Sequence, residues 1–434
     1  MILRDIERST RQQLDEIELD RFKWAVGQAY DRVPFYKERF DTVGLRPHHI
    51  KSLEDIKHVP FTTKNDLRNN YPFGMLAVAM DDVVRIHASS GTTGKSIVTG
   101  YTHNDIQMWS EVMARSLASA GIHRGDVLQN AYDYGLFTGG LGVHYGAEML
   151  GAAVIPLSGG NTQKQLLFMQ DFGSTALTCT PSYALFLIET AKEMGMERSA
   201  LRLRVGLFGA EPWTEGMRQE IEERLGIDAL DIYGLCEIIG PGVSVECLEG
   251  KNGLHVYEDH FLPEVIDTQT LLPVVPGEKG ELVITTLTKE AMPLIRYRTG
   301  DITALHIDPC VCGRTMVRME KVMGRTDDML IIRGMNVFPS QIESIILRID
   351  GLEPYYQLIV DKKGPLDTLE VQIEVNAQMP FDNIRMLEVL EAKIAEQIED
   401  HLDVKAQVTL LPPRVIDRGE DGKMVRVIDR RKKR

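Results

Sequence analysis

Val127-Leu128-Gln129-Asn130-Ala131, Ala153-Val154-Ile155-Pro156-Leu157, Ala176-Leu177-Thr178-Cys179 and Val205-Gly206-Leu207-Phe208 are short apolar runs separated by polar or helical segments. Val83–His87 reads as the first of the series. Between the early runs lies a helical pattern, His103–Ala120, with Ile106, Trp109, Val112, Met113 and Leu117 on one side and Thr102 and Asp105 as start signals. Such alternation predicts parallel strands covered by helices, an α/β architecture. Upstream, Leu14, Ile17, Trp24 and Ala25 recur at helical spacing from Ser9 to Tyr30.

Downstream the texture changes. From Leu254 to Leu305, apolar runs are broken by Pro263, Pro273, Pro276-Gly277 and Lys279-Gly280, as in hairpins or a small barrel. After Gly324-Arg325-Thr326-Asp327 the pattern restarts. Strands are predicted at Met329–Ile332, Tyr356–Val360, Leu369–Glu374 and Gln407–Leu411, and helices at Ser340–Ile349 and Asn383–His401. A chain of 434 residues exceeds one ordinary core. It divides into a large N-terminal domain, residues 1–326, with parallel sheets and a small β-rich part, and a compact α+β C-terminal domain, residues 327–434.

Forty-nine basic and 63 acidic side chains give a net charge of −14, which argues against nucleic acid or anionic membrane as partner. The basic run Arg430–Arg434 reads as a solvated tail. Leu136–Leu157, the most apolar region, is interrupted by His144, Glu148 and glycines and does not read as a membrane span. The charged N-terminus has no signal-peptide pattern, and five cysteines make no disulfide scaffold, so the expected compartment is the cytoplasm.

Ser89-Ser90-Gly91-Thr92-Thr93-Gly94-Lys95 concentrates hydroxyls, glycines and a lysine after a strand. Glycines admit an anion close to backbone N–H groups, hydroxyls donate to it, and the ammonium supplies charge. A Walker loop fits poorly. Its first glycine is Ser89, and Ser96–Tyr101 looks extended where a Walker lysine opens a helix. The expectation is a phosphate-gripping loop between strands. Tyr297-Arg298-Thr299-Gly300-Asp301 offers a carboxylate to a sugar, and Gly422-Lys423 brings a cation.

Together with Tyr134–Gly140, Gly209-Ala210-Glu211-Pro212-Trp213, Tyr233-Gly234-Leu235-Cys236-Glu237, Gly324–Asp328 and Arg333–Pro339, these segments resemble the adenylate-forming enzymes, and within them the phenylacetate-CoA ligases. The resemblance covers nearly the whole chain. It implies a ligase that joins an aryl acid such as phenylacetate to coenzyme A through an acyl-adenylate, using ATP and Mg2+, with a large adenylation domain followed by a mobile lid. It also implies roles. Ser90, Gly91, Thr92, Thr93, Gly94 and Lys95 grip phosphates; Gly209, Ala210, Glu211, Tyr233 and Gly234 border the adenine; Asp301, with Arg325, holds the ribose. Glu237 is implied as the magnesium carboxylate, Lys423 as the catalytic lysine, Asp327 as the hinge, and Gly334 as the neighbour of the incoming thiol. Tyr132, Tyr134, Phe137, His144 and Tyr145, around a glycine-rich turn, resemble an aryl pocket, with Tyr134, Phe137 and Tyr145 as the substrate contacts. A homodimer is implied too. Loading of a carrier protein is the alternative use of the same adenylation chemistry, and a phosphate-binding regulatory module is a third reading.

Cys247, His255, Cys310 and Cys312 form a C-x7-H and a C-x-C pair bracketed by Pro309 and Gly313. Three thiolates and an imidazole make a closed tetrahedral zinc set, so a structural zinc site is expected there.

Overall fold

The computed structural model describes residues 1–89, 96–136, 138–326, 330–332, 335–363, 366–376, 378–379, 381, 384–402, 404–418 and 424–433. Its centre is a mixed sheet. Strands β3 (Val127–Asn130), β4 (Ala153–Pro156), β5 (Ala176–Cys179), β6 (Val205–Gly209) and β7 (Asp228–Leu235) run parallel in the order β7-β6-β5-β3-β4. β5 and β6 are buried at every position, which is why their sequences show no alternation. Beyond β7 the sheet turns antiparallel, through β8 (Ile239–Val245), β9 (Leu254–Val256) and two short strands, Leu305–His306 and Arg318–Met319.

One expectation is corrected here. Arg85–Ala88, called β1, does not open the parallel series. It pairs antiparallel with β2 (Val98–Tyr101), forming a separate hairpin around the phosphate-loop segment. Ser89 donates through its N–H to Ile97 O at 2.9 Å, while Ile97 N–H donates to Ser89 Oγ at 3.0 Å, closing the neck of that hairpin. A strand follows the loop and not a helix, as the extended reading of Ser96–Tyr101 required.

The helix His103–Ser119 starts where its cap signals stand: Thr102 Oγ1 accepts from Asp105 N–H and Asp105 accepts from Thr102 N–H. The glycines expected to form a turn after Thr138 lie instead in a helix, Gly139–Leu150. Their smallness serves packing. A Cβ at Gly142 would sit 2.7 Å from the Trp109 ring, and one at Gly146 2.4 Å from Met113 Cβ. On the first long helix, Arg11–Arg32, the buried stripe runs Leu14, Phe22, Ala25, Val26 and Ala29, whereas Trp24 is exposed.

The hairpin region forms a four-stranded antiparallel sheet of Phe261–Ile266, Gly280–Thr286, Tyr297–Thr303 and Gly324–Arg325. The last third has its own sheet, with Leu352–Lys363 and Leu366–Val375 at its centre, covered by helices Pro339–Ile346 and Ile384–Leu402 over a separate hydrophobic core. Among the described residues, no helix is long and apolar enough to cross a membrane.

Candidate active site

A cavity opens at the C-terminal ends of β6 and β7, where the sheet switches from parallel to antiparallel. The empty space of about 1040 Å3 there includes open solvent at its mouth, so it is an open cleft and not a sealed cavity. Ala210, Glu211, Tyr233, Gly234, Asp301 and Arg325, all expected site residues, line it. Gly209 ends β6 beside it, where a Cβ would stand 2.1 Å from the carbonyl oxygen of Ile232 on the neighbouring strand. Only glycine lets the chain pass. Ala210 follows with φ of +70°, a turn that swings Glu211 across to accept from Ser182 N–H at 2.7 Å at the start of helix Pro181–Glu193.

At the cavity floor, Asp301 on Tyr297–Thr303 faces Arg325 on the adjacent strand in register. Arg325 Nη1 donates to Asp301 Oδ1 at 2.9 Å, and Tyr233 Oη donates to Asp301 Oδ2 at 2.5 Å. Arg325 Nη2 also donates to Thr299 O at 3.1 Å, fixing the guanidinium. Burial, with Asp301 nearby, pushes the Tyr233 hydroxyl well above its ordinary pKa, so it remains a donor. The carboxylate is therefore held by a donor at each oxygen, and it is only 5 % exposed.

Glu237 lies in the turn between β7 and β8 and is 6 % exposed. That turn is tied to the phosphate-loop hairpin, because Thr99 Oγ1 donates to Cys236 O at 3.0 Å. Burial, with the Glu237 carboxylate nearby, pushes the Tyr297 hydroxyl well above its ordinary pKa. Ser90, Gly91, Thr92, Thr93, Gly94 and Lys95 themselves, with Phe137, Asp327, Gly334 and Lys423, lie outside the described residues.

Of the expected aryl-pocket residues, Tyr134 and Tyr145 are half-buried around His144 and not part of the cavity lining. Tyr134 Oη accepts from Asn130 Nδ2 at 2.6 Å and lies 3.3 Å from His144 Nδ1. The Tyr145 ring carries the Arg85 guanidinium at 4.7 Å. Of that group Tyr132 does line the cavity, with Thr138 and Gly139, as do the aromatic side chains of Trp213 and Tyr233.

The comparisons with known proteins fall on this same site. Residues 34–288 match the AMP-binding enzyme family model, and residues 334–431 match the AMP-binding enzyme C-terminal domain. A phenylacetate-coenzyme A ligase of Thermus thermophilus is 50% identical over 442 aligned positions, covering 99% of both chains. The chain belongs to the phenylacetate-CoA ligase family.

Among solved structures, this phenylacetate-CoA ligase family member is similar to 2-hydroxyisobutyryl-CoA ligase in its postadenylation state with an acyl-AMP, at TM-score 0.93 and 28% identity over 99% of this chain and 92% of that one. Against the same enzyme in the thioesterification state, with acyl-AMP and CoA, the TM-score falls to 0.73 over 98% and 92%. Helix Pro339–Ile346 and its neighbours are thus disposed as in the postadenylation form. Arg414 pairs with Glu193, and Leu347 packs into the cluster of Phe208, Trp213 and Met217.

Away from the cavity, Cys247, His255, Cys310 and Cys312 do come together, with one ligand atom from each inside a 4.8 Å circle. Cys247 Sγ and Cys310 Sγ are 3.6 Å apart, and Cys312 Sγ lies 3.5 Å from His255 Nε2. Edges of a zinc tetrahedron built from thiolates and imidazole are about 3.8 and 3.6 Å, so the set is close to ligating geometry. One residue beside the site escaped the sequence reading: Lys289, which reads as surface in Thr288-Lys289-Glu290.

Proposed function

We infer that this chain is an ATP-dependent phenylacetate-CoA ligase. It activates the aryl acid as an acyl-adenylate, releases diphosphate, and transfers the acyl group to coenzyme A with release of AMP. The observation that carries this is the 50% identity to a phenylacetate-coenzyme A ligase over 99% of both chains. Carrier-protein loading has no comparable support.

The chain's residues divide the work. The Tyr233–Asp301–Arg325 cradle presents a carboxylate to vicinal hydroxyls, the chemistry a ribose offers. Glycines 209 and 234 leave backbone bare where a purine ring would lie; at Gly234 a Cβ would meet Ile239 O at 2.6 Å. The loop 90–95, held at its neck by Ser89 and Ile97, grips phosphates. Glu237, enclosed beside that hairpin, is the ligand for a magnesium ion, which supplies charge neutralisation when bound. Lys423 approaches the carboxylate and α-phosphate oxygens as they join, where a desolvated ammonium favours the transition state. The aryl group lies toward Tyr132, Tyr134, Phe137 and Tyr145. Residues 1–326 form the adenylation domain, and residues 327–434 a lid that turns at Asp327 and admits the thiol past Gly334.

The Cys247–His255–Cys310–Cys312 cluster binds a structural zinc. The protein works as a homodimer in the cytoplasm, where reduced thiols suit its five free cysteines; light scattering tests the assembly. Separate assay of the half-reactions tests the mechanism. Lys423→Ala is expected to lose adenylation by roughly a hundredfold or more while retaining thioester formation from preformed phenylacetyl-adenylate. Normal adenylation in that variant, or thioester formation only with carrier protein, overturns the reading.

A further inference from the structure

Lys289 is 1 % exposed, a position where an ammonium needs close compensation. Its Nζ donates to Ile238 O at 2.6 Å and approaches Glu237 O at 3.4 Å, so it grips the turn that presents Glu237. The same ammonium stands 4.5 Å from the centroid of the Tyr101 ring. Tyr101 ends β2, the strand that leaves the phosphate loop. The lysine's own segment is anchored in turn. Asp105, the cap of helix His103–Ser119, accepts from Glu290 N–H at 2.7 Å and Ala291 N–H at 3.0 Å. One buried cation therefore joins the outgoing strand of the loop, the Glu237 turn and a fixed helix cap.

We propose that Lys289 is a positioning residue for adenylation, whose ammonium sets the Glu237 turn against Tyr101 on β2 and so fixes where the Glu237 carboxylate is presented. The inference rests on the assignment of Glu237 to magnesium. An apolar side chain would fill the space, but would leave the two carbonyl oxygens without their donor and the ring without its cation. The charged and titratable groups facing the ammonium are Asp105 from the helix cap, Glu237 and Cys236 from the turn, and Tyr101 and His87 from the hairpin.

Phenylacetate-dependent ATP–pyrophosphate exchange, with thioester formation from synthetic phenylacetyl-adenylate as the second readout, tests the proposal on the full chain. Lys289→Met is expected to raise the KM for magnesium-ATP roughly tenfold or more, with thioester formation little changed. Equilibrium binding of magnesium-ATP to Lys289→Met, read by calorimetry, should weaken by a similar factor. Lys289→Arg keeps the cation and should recover most of the exchange; it decides the matter if the methionine variant does not fold. An unchanged KM for Lys289→Met, or equal loss of both half-reactions, overturns the proposal. Glu237→Gln separates the two layers. If it is impaired while Lys289→Met is normal, the lysine inference alone fails; if Glu237→Gln itself exchanges normally, the magnesium assignment fails and the inference goes with it.

Discussion

In the Tyr233–Asp301–Arg325 cradle, each carboxylate oxygen has a fixed donor, so the group is oriented before a nucleotide arrives. Asp301→Asn removes the charge that makes such hydrogen bonds strong, and is expected to raise the KM for ATP by roughly ten- to a hundredfold, read from initial rates. Gly209→Ala acts on the fold instead. Its methyl would press on Ile232 O, and a loss of about 1–3 kcal/mol should appear as a lower urea midpoint. Lys289 offers a separate test of sign. Its pKa falls from 10.5 to about 8 on folding, so between those values the unfolded chain binds more protons. Its contribution to stability therefore rises over that pH window. Melting temperatures of the unaltered protein should show this rise relative to those of Lys289→Met, read across the window. Residues of this kind are what a sequence conceals most. Asp301 and Tyr233 stand in recognisable motifs, whereas Lys289 owes its meaning to β2, the Glu237 turn and the Asp105 cap, which meet only in three dimensions.

Elements were legible where local chemistry is decisive. The cap pair Thr102/Asp105 starts its helix on time, and Ile384–Leu402 follows its apolar spacing. Asp228–Leu235 and Ile239–Val245 were not foreseen as strands. Their backbone is stabilised by pairing with distant partners, and glycines and a proline break their pattern. Arg85–Ala88 looked like a parallel strand because nothing in four residues specifies a partner. The convergence of Cys247, His255, Cys310 and Cys312 was legible because cysteine and histidine are sparse and their chemistry is specific. Purified protein is expected to carry one zinc per chain by metal analysis. A strong chelator should lower the melting temperature and expose the segment around Arg318–Met319, which pairs with β9, to protease. Adenylation should decline only as that unfolding sets in, since the cluster does not line the cavity.

At the scale of the whole molecule, among the described residues two hydrophobic cores lie before Asp327 and a third after it, and no sequence feature announced their mutual pose. That pose follows 2-hydroxyisobutyryl-CoA ligase in the postadenylation state. If the lid must turn before thiol transfer, fixing it should split the two half-reactions. A Cβ at Gly216 would lie 3.1 Å from Leu347 Cβ, so Gly216→Cys with Leu347→Cys needs only a slight opening to form a disulfide. Oxidised, that double variant is expected to make phenylacetyl-adenylate and little thioester; a reductant should restore transfer. Equal thioester yield in both redox states would show that no rotation is required.

The cavity's walls come from unconnected parts of the chain. Tyr132, Thr138 and Gly139 follow β3, whereas Asp301 and Arg325 belong to a different sheet altogether. Such separate ancestry of the two walls makes the enzyme a natural chassis for altered acid preference. Mutagenic libraries confined to positions 132 and 138 would vary the guest carboxylate without disturbing the nucleotide's seat, and selection could proceed one wall at a time.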